Sequence, residues 1–588
     1  MALSRGVRFV LVFIGLAVMV SMAGVVLMYL VVSRGPAVPL SATLVLRPGG
    51  EIQEVVPNDV FGQVLGRSTS TVRGFVEALE KAKRDTRIRA VLLMPSSLSL
   101  PYWAKVQELR DAVTDFRKSG KKVIAFLEYG GDREYYLASA ADKVYLLPTS
   151  PLDLTGVASY EIFLRGAFDK IGAYPDFVHV GEYKTAVNQY TEKGFTPQHR
   201  EMSESLNRDM YAQLVAGIAE SRRKSEQEIR ALIDQGPFVA EDALRHGLVD
   251  ELAYEDQLDD RSPELRDGAR ALRRFEGSDY QRIRRESVGL RPRSRIAVLY
   301  AVGTIASGKS GFDPLNGAVL GSDSFIKQIR DMRDDRSVKA IILRVDSPGG
   351  STVASDVIWR ELMITRDQNP SRPLVASMSD LAASGGYYIS MPAQVIVAQP
   401  ATLTGSIGVF MGKIALGGTL DKVGVGTATV TSGANADIYS PFDRFEPAHR
   451  ERLQAYTQDF YDNFVAKAAA SRKTTADRID AVAQGRVWTG RQARERGLVD
   501  ALGGLDEAVR IAKERARIPA DEDVELVAYP SRRSLFEALS DPFGGGSLSV
   551  WSLLGRGVDT HAVGALTAPA RLFRRGEPLA LMPFAVVR

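Results

Sequence analysis

Six short runs of apolar, largely β-branched residues punctuate the chain. Three lie in the first half, at 89–94, 121–127 and 143–147, and three in the second, at 339–345, 374–377 and 394–398. Runs of this length without polar alternation predict strands buried on both faces, as in a parallel sheet. Between them, stretches such as 70–84 and 322–334 repeat their apolar residues at helical spacing. Alternation of apolar strands with amphipathic helices predicts an α/β fold with parallel sheets.

The pattern is written twice. Asp85-Thr-Arg-Ile-Arg-Ala-Val-Leu-Leu93 returns as Asp335-Arg-Ser-Val-Lys-Ala-Ile-Ile-Leu343, and Tyr135-Tyr136 as Tyr387-Tyr388. Leu154-Thr-Gly156 returns as Leu403-Thr-Gly405, the block Phe195–Glu201 as Phe445–Glu451, and Gly247-Leu-Val-Asp250 as Gly497-Leu-Val-Asp500. The offset stays between 249 and 252 throughout, which only two copies of one domain maintain. The expected division is an N-terminal segment at 1–35, a first copy at 39–255, a charged linker at 256–294, a second copy at 295–530 and a tail of unknown structure at 531–588.

One segment belongs to neither copy. From Phe9 to Ser33 run 25 uncharged residues, with Arg5 and Arg8 before them and Arg34 after. That is long enough to span a bilayer and longer than the apolar region of a cleaved signal peptide. A single transmembrane helix is therefore expected through residues 9–33. The arginine bias puts the N-terminus inside and the two copies on the extracytoplasmic, periplasmic side of the plasma membrane.

Composition removes several function classes. At 588 residues and 45% apolar content the chain is too long for one core and too apolar for general disorder. A net charge of +4 leaves no footprint for nucleic acid. The absence of cysteine excludes disulfides, thiolate metal sites and a cysteine nucleophile. No metal constellation or cofactor is expected. Gly303-Thr-Ile-Ala-Ser-Gly-Lys-Ser310 fits a phosphate-loop pattern, but Gly311, Pro314, Asn316 and Gly317 follow where a helix must open, so nucleotide binding is not expected.

Two glycine-rich segments sit at predicted strand ends of the second copy, where open α/β sheets hold ligands. One is Asp346-Ser-Pro-Gly349-Gly350-Ser351, the other Ala382-Ala-Ser384-Gly385-Gly-Tyr387. A serine nucleophile needs small neighbours, and an oxyanion needs backbone N–H donors. Ser384 meets the first requirement. Gly349 or Gly350, together with Gly385, could meet the second. Serine also needs a base. Of five histidines, His199 and His449 lie in the repeated block, His561 in the tail, and His179 and His246 in no constellation. A lysine can replace histidine if burial leaves it neutral.

Together with Leu403-Thr-Gly-Ser406-Ile-Gly408 and Gly181-Glu-Tyr-Lys184-Thr-Ala186, these segments resemble the signal peptide peptidase A family in its long, duplicated form, over residues 39–527. The resemblance implies a crotonase-like, Clp protease-like domain repeated in tandem. It implies Ser384 as nucleophile, Lys184 as general base, Ser406 as the hydroxyl that orients the lysine, and Gly349 or Gly350 with Gly385 as oxyanion donors. It also implies peptide substrates (cleaved signal peptides, and misfolded extracytoplasmic proteins) and a homotetramer. Two rival readings are an acyl-CoA enzyme on the same fold and a catalytically silent membrane scaffold.

The duplication bears on the pair. Ser384 aligns with Asp132, Lys184 aligns near 433–435 where there is no lysine, and the first copy reads Pro95-Ser-Ser-Leu-Ser-Leu-Pro101 in place of the glycine loop. Each copy thus keeps one member. Val178, Val180, Tyr183, Ala186 and Val187 are apolar enough to bury the lysine stem, while Glu182 is expected to favour its charged form.

Overall fold

The computed structural model describes residues 36–55, 70–313, 317–530, 578–583 and 586–587, with scattered positions between 13 and 24. Most of the apolar run 9–33 lies outside the described residues. No helix among those described is long and apolar enough to cross a membrane.

Each copy is built on a parallel sheet. In the first, the strand order is Glu251–Leu252, Lys143–Leu146, Lys122–Leu127, Ile88–Leu93, Ala42–Leu46 and Arg273–Glu276, every neighbouring pair parallel. In the second, Leu403–Gly405, Leu374–Ala383, Val338–Ser347, Ser294–Val302 and Val524–Tyr529 follow the same plan. Val395–Ala398 branches off Leu374–Ala383. The central strands are apolar without alternation because helices cover both faces, and Ile88, Ala90, Val91, Leu92 and Leu93 are all fully buried.

Equivalent residues make equivalent bonds. The Tyr135 hydroxyl donates to the Leu248 carbonyl, as Tyr387 does to Leu498. Asp250 accepts from Val144 N–H and pairs with Arg222, as Asp500 does with Ile396 and Arg472. The long helices Pro197–Arg222 and Pro447–Arg472 each have 26 residues and end in a left-handed residue.

The span 256–294 is more than a linker. Its strand Arg273–Glu276 is the edge of the first sheet, beside Ala42–Leu46, just as Val524–Tyr529 lies beside Ser294–Val302. Its abundant Arg and Asp suit an exposed edge strand, and that composition hid a structural element.

A third sheet joins the copies. It runs Tyr174–Val180, Val409–Ala415, Leu579–Leu581, Gly349–Ser351, Thr304–Ala306, Gly317–Gly321, Gly311–Asp313, and so draws on the first copy, the second copy and the tail. Tyr174–Val180 pairs antiparallel with Val409–Ala415 over all seven residues. Gly412 permits this close pairing, since a side-chain carbon there would fall 2.2 Å from the Phe177 ring.

Buried charge also crosses the boundary. Arg344 of the second copy, fully buried, donates twice to Glu54 (2.8 and 2.9 Å) and once to Glu108 (2.6 Å), both in the first copy. Burial alone would raise the Glu54 carboxyl, but the Arg344 charge and hydrogen bonds override it and hold it at about 2. Its folded value therefore lies below its ordinary one of 4.5. The stabilisation is present above pH 4.5 and lost as pH falls toward 2. Glu108 still pairs with Arg344 when Glu54 is neutralised, so the cost is that of the lost charge-assisted hydrogen bonds, about 1.5–3 kcal/mol. Glu54→Gln is expected to lower stability to urea at pH 7 by about that much, with the gap to wild type narrowing as pH falls below 4.5. A gap independent of pH would refute the assignment.

Candidate active site

The strand Leu374–Ala383 runs on past its predicted end at 377 and stops at Ser384, where the helix Gly385–Ser390 begins. Ser384 makes that junction at φ 56°, ψ −111°, a conformation costly for a non-glycine residue. Its N–H donates to the Gly405 carbonyl (2.7 Å), and its own carbonyl accepts from Tyr388 N–H (2.9 Å). The turn presents the hydroxyl beyond the sheet end.

Lys184 arrives from the first copy. The inter-copy pairing ends at Val180 opposite Val409, and Gly181, at φ 103°, turns the chain inward. Tyr183 N–H then donates to the Gln484 carbonyl of the second copy (2.8 Å). Lys184 Nζ lies 2.8 Å from Ser384 Oγ, 3.1 Å from Ser406 Oγ and 3.1 Å from the Ser406 carbonyl oxygen. Lys184 is 1% exposed, and both serines are fully buried. Burial, the single cause acting, pushes the lysine well below its ordinary 10.5. The influence expected from Glu182 is absent, because no carboxylate acts on this amine.

Ser406 also has a positive φ, 50°, and its N–H is held by the Arg486 carbonyl (2.7 Å). The glycines converge beside these groups. A side-chain carbon built on Gly385 would lie 3.1 Å from Gly349 Cα and 3.2 Å from Gly350 N. Gly349 N–H donates to Ser347 Oγ (3.2 Å), and Gly350 stands opposite Ala580 of the tail.

Gly485, Gly408 and Gln484 hold the lysine in place, and of these only Gly408 lies in a segment singled out from the sequence. A side-chain carbon on Gly485, itself at φ 77°, would fall 2.5 Å from both N and Cα of Lys184. One on Gly408 would lie 3.1 Å from Lys184 Cδ. Gln484 supplies the carbonyl that fixes Tyr183. Gln484-Gly485 recurs as Gln235-Gly236 in the first copy.

The first copy's counterpart is filled with carboxylates. Asp132, aligned with Ser384, accepts from Thr155 N–H and Gly156 N–H (3.0 Å each), and Glu134 accepts from Leu98 N–H (2.5 Å) in the segment that replaces the glycine loop.

None of the histidines among the described residues hydrogen-bonds Ser384. His199 contacts Glu161 (2.5 Å), His449 is 3.7 Å from Asp437, and His179 bonds the Gly181 carbonyl. Residues 303–310 are no phosphate cradle. Thr304–Ala306 is a strand, and the amides of Gly308 and Ser310 donate to Ser322 and Ser324. No group of side chains suited to a metal ion occurs among the described residues.

Peptidase family S49 matches the chain twice, over residues 115–267 and 366–519. The chain belongs to peptidase family S49. It is a serine protease, and the family matches it once in each half of the chain. The chloroplastic serine protease SPPA of Arabidopsis thaliana is 34% identical over 489 residues, covering 82% of this chain and 71% of its own. Protease 4 of Salmonella typhi is 33% identical over 523 residues, covering 86% and 81%. Among solved structures, the membrane-bound stomatin-specific protease 1510-N shares 15% identity at a TM-score of 0.24, over 40% of this chain and 97% of its own.

Proposed function

We propose that this S49 protease is a membrane-anchored endopeptidase that cleaves signal peptides released into the bilayer, with Ser384 as nucleophile and Lys184 of the first copy as its base. The observation that carries the reading is the 2.8 Å contact between Lys184 Nζ and Ser384 Oγ at a fully buried amine. An ammonium has three protons to donate and no lone pair. A neutral amine has two N–H groups and one lone pair, and Nζ has three partners. The two N–H groups satisfy the Ser406 carbonyl and hydroxyl oxygens, and the lone pair is left for the Ser384 proton. Ser406 thereby aims the base.

In the reaction, the Ser384 oxygen attacks the scissile carbonyl carbon while Lys184 takes its proton. The developing oxyanion is received by Gly385 N–H together with the N–H of Gly349 or Gly350. The lysine then returns the proton to the departing amine, and water, deprotonated by the same lysine, hydrolyses the ester. Each copy is read as a crotonase-like domain, the run 9–33 as the anchor that holds the site at the outer membrane face, and the assembly as a homotetramer.

The test is a serine-reactive phosphonofluoridate together with a synthetic signal peptide in micelles. Wild type should be labelled at Ser384 and cleave the peptide, whereas Ser384→Ala should do neither. Binding of acyl-CoA by an unlabelled protein would point instead to the acyl-CoA rival. Ser406→Ala removes one of two acceptors and is expected to lower kcat about ten- to a hundred-fold with KM little changed, since misaiming a base costs on that order.

A further inference from the structure

The sheet that carries the site contains a strand from outside both copies. Leu579–Leu581 lies between Gly349–Ser351 and Val409–Ala415, antiparallel to each. Gly349 stands opposite Leu581, Gly350 opposite Ala580, and Ser351 opposite Leu579. Met582 N–H donates to the Pro348 carbonyl (2.9 Å), while Thr352 N–H and its hydroxyl donate to the Pro578 carbonyl (3.2 and 3.0 Å). An extended segment thus completes the edge of the glycine strand, in the manner of a peptide added to a sheet.

Its place relative to the chemistry is specific. A side-chain carbon built on Gly349 would fall 2.0 Å from the Ala580 carbonyl oxygen and 2.7 Å from the nitrogen of Gly385. A peptide carbonyl and a candidate oxyanion donor therefore flank one small space beside Ser384. The side chains are seated as well. Leu579 packs with Phe177, Ala186, Val187, Tyr190 and Phe410, and Ala580 is fully buried. Ala186 and Val187 follow Lys184 closely, so the segment that delivers the lysine also walls the leucine pocket.

We propose that residues 578–582 occupy the peptide cleft of the protease as an intramolecular competitor, which a substrate must displace. This rests on the Ser384–Lys184 reading of the site. The cleft takes an extended peptide antiparallel to Gly349–Ser351, with a branched aliphatic residue where Leu579 sits and a small one where Ala580 sits. Only three residues pair in the cleft, and a second tether of two, Val586–Val587, pairs with Ser159–Tyr160. A tethered segment acts at an effective concentration of about millimolar. An intrinsic Kd of about 0.1 mM would then fill the cleft roughly nine-tenths of the time, leaving it open to longer peptides.

The experiment uses the full chain carrying Leu579→Asp, which places a charge in the apolar pocket. The expected result is a KM for a fluorogenic signal peptide about tenfold lower, with kcat little changed. A synthetic peptide of residues 578–588 should inhibit this variant competitively and wild type scarcely at all. Leu579→Ala, a milder change, should shift KM in the same direction by less. A binding readout separates this inference from the reading it rests on. Fluorescent 578–588 peptide should bind the Ser384→Ala, Leu579→Asp chain and not Ser384→Ala alone. Equal binding to both, or KM unchanged in the two Leu579 variants, overturns the competitor. Hydrolysis by Ser384→Ala would overturn the dyad instead, without touching the binding result.

Discussion

Lys184→Met is expected to lower kcat/KM for peptide hydrolysis at least about a thousand-fold, and to make the folded protein more stable at neutral pH. Activity falls because the Ser384 hydroxyl has no other base. Its remaining recorded contact is the Gly408 carbonyl at 3.5 Å, and a hydroxyl without a base is a poor nucleophile. Stability rises for a separate reason. The folded lysine lies well below the 10.5 it has when unfolded, so below that value the unfolded chain holds this proton more tightly than the folded chain does. Folding is penalised by that difference, at about 1.4 kcal/mol per pKa unit, in full below the folded value and by less as pH rises toward the unfolded one. Methionine removes the titrating group and fills much the same volume. A gain of about 1 kcal/mol or more in urea unfolding at pH 7 is expected, shrinking as pH approaches 10.5. Wild-type activity should rise with pH as the lysine loses its proton. A variant that is inactive and also less stable at pH 7 would mean that the lysine is held charged.

The second large effect concerns a residue with no chemistry of its own. Gly485→Ala is expected to reduce kcat about a hundred-fold, because the new carbon would sit 2.5 Å from the Lys184 backbone and must push the amine off its line to Ser384. Misplacement of about 1 Å is worth that much. Some stability is lost too, as alanine is strained at φ 77°. Gly424 provides the control, with the same φ of 77° and nothing within 4 Å of a side-chain carbon. Gly424→Ala should show the backbone cost of about 1 kcal/mol with full activity. If both variants lose activity equally, the close approach to Lys184 is not what matters.

The sequence made some levels of this structure easy to read and hid others. Strands at 143–147 and 394–398 are found at Lys143–Leu146 and Val395–Ala398, because an unbroken apolar run between turn residues has few other fates in a parallel sheet. Leu374–Ala383 overran its predicted end at 377. In the fold Asp380 is buried, with Lys105 of the first copy 3.6 Å away, and a long-range ion pair leaves no local signature. Ser384 was legible from its small neighbours and Lys184 only through a resemblance. The geometry that joins them depends on the pairing of Tyr174–Val180 with Val409–Ala415, more than two hundred residues apart in the chain, and alternation never names its partner. The tail strand is too short, at three residues, to carry any periodic signal.

The central claim is that the base and the nucleophile meet inside one chain, each supplied by a different copy. Co-expressing Lys184→Met and Ser384→Ala chains and assaying the purified mixture tests it most directly. If each active site is completed within its own chain, the mixture should remain as inactive as either variant alone, however the chains assemble. Recovery of a substantial fraction of wild-type activity would place the two groups on different protomers, and activity in either variant by itself would remove the dyad altogether.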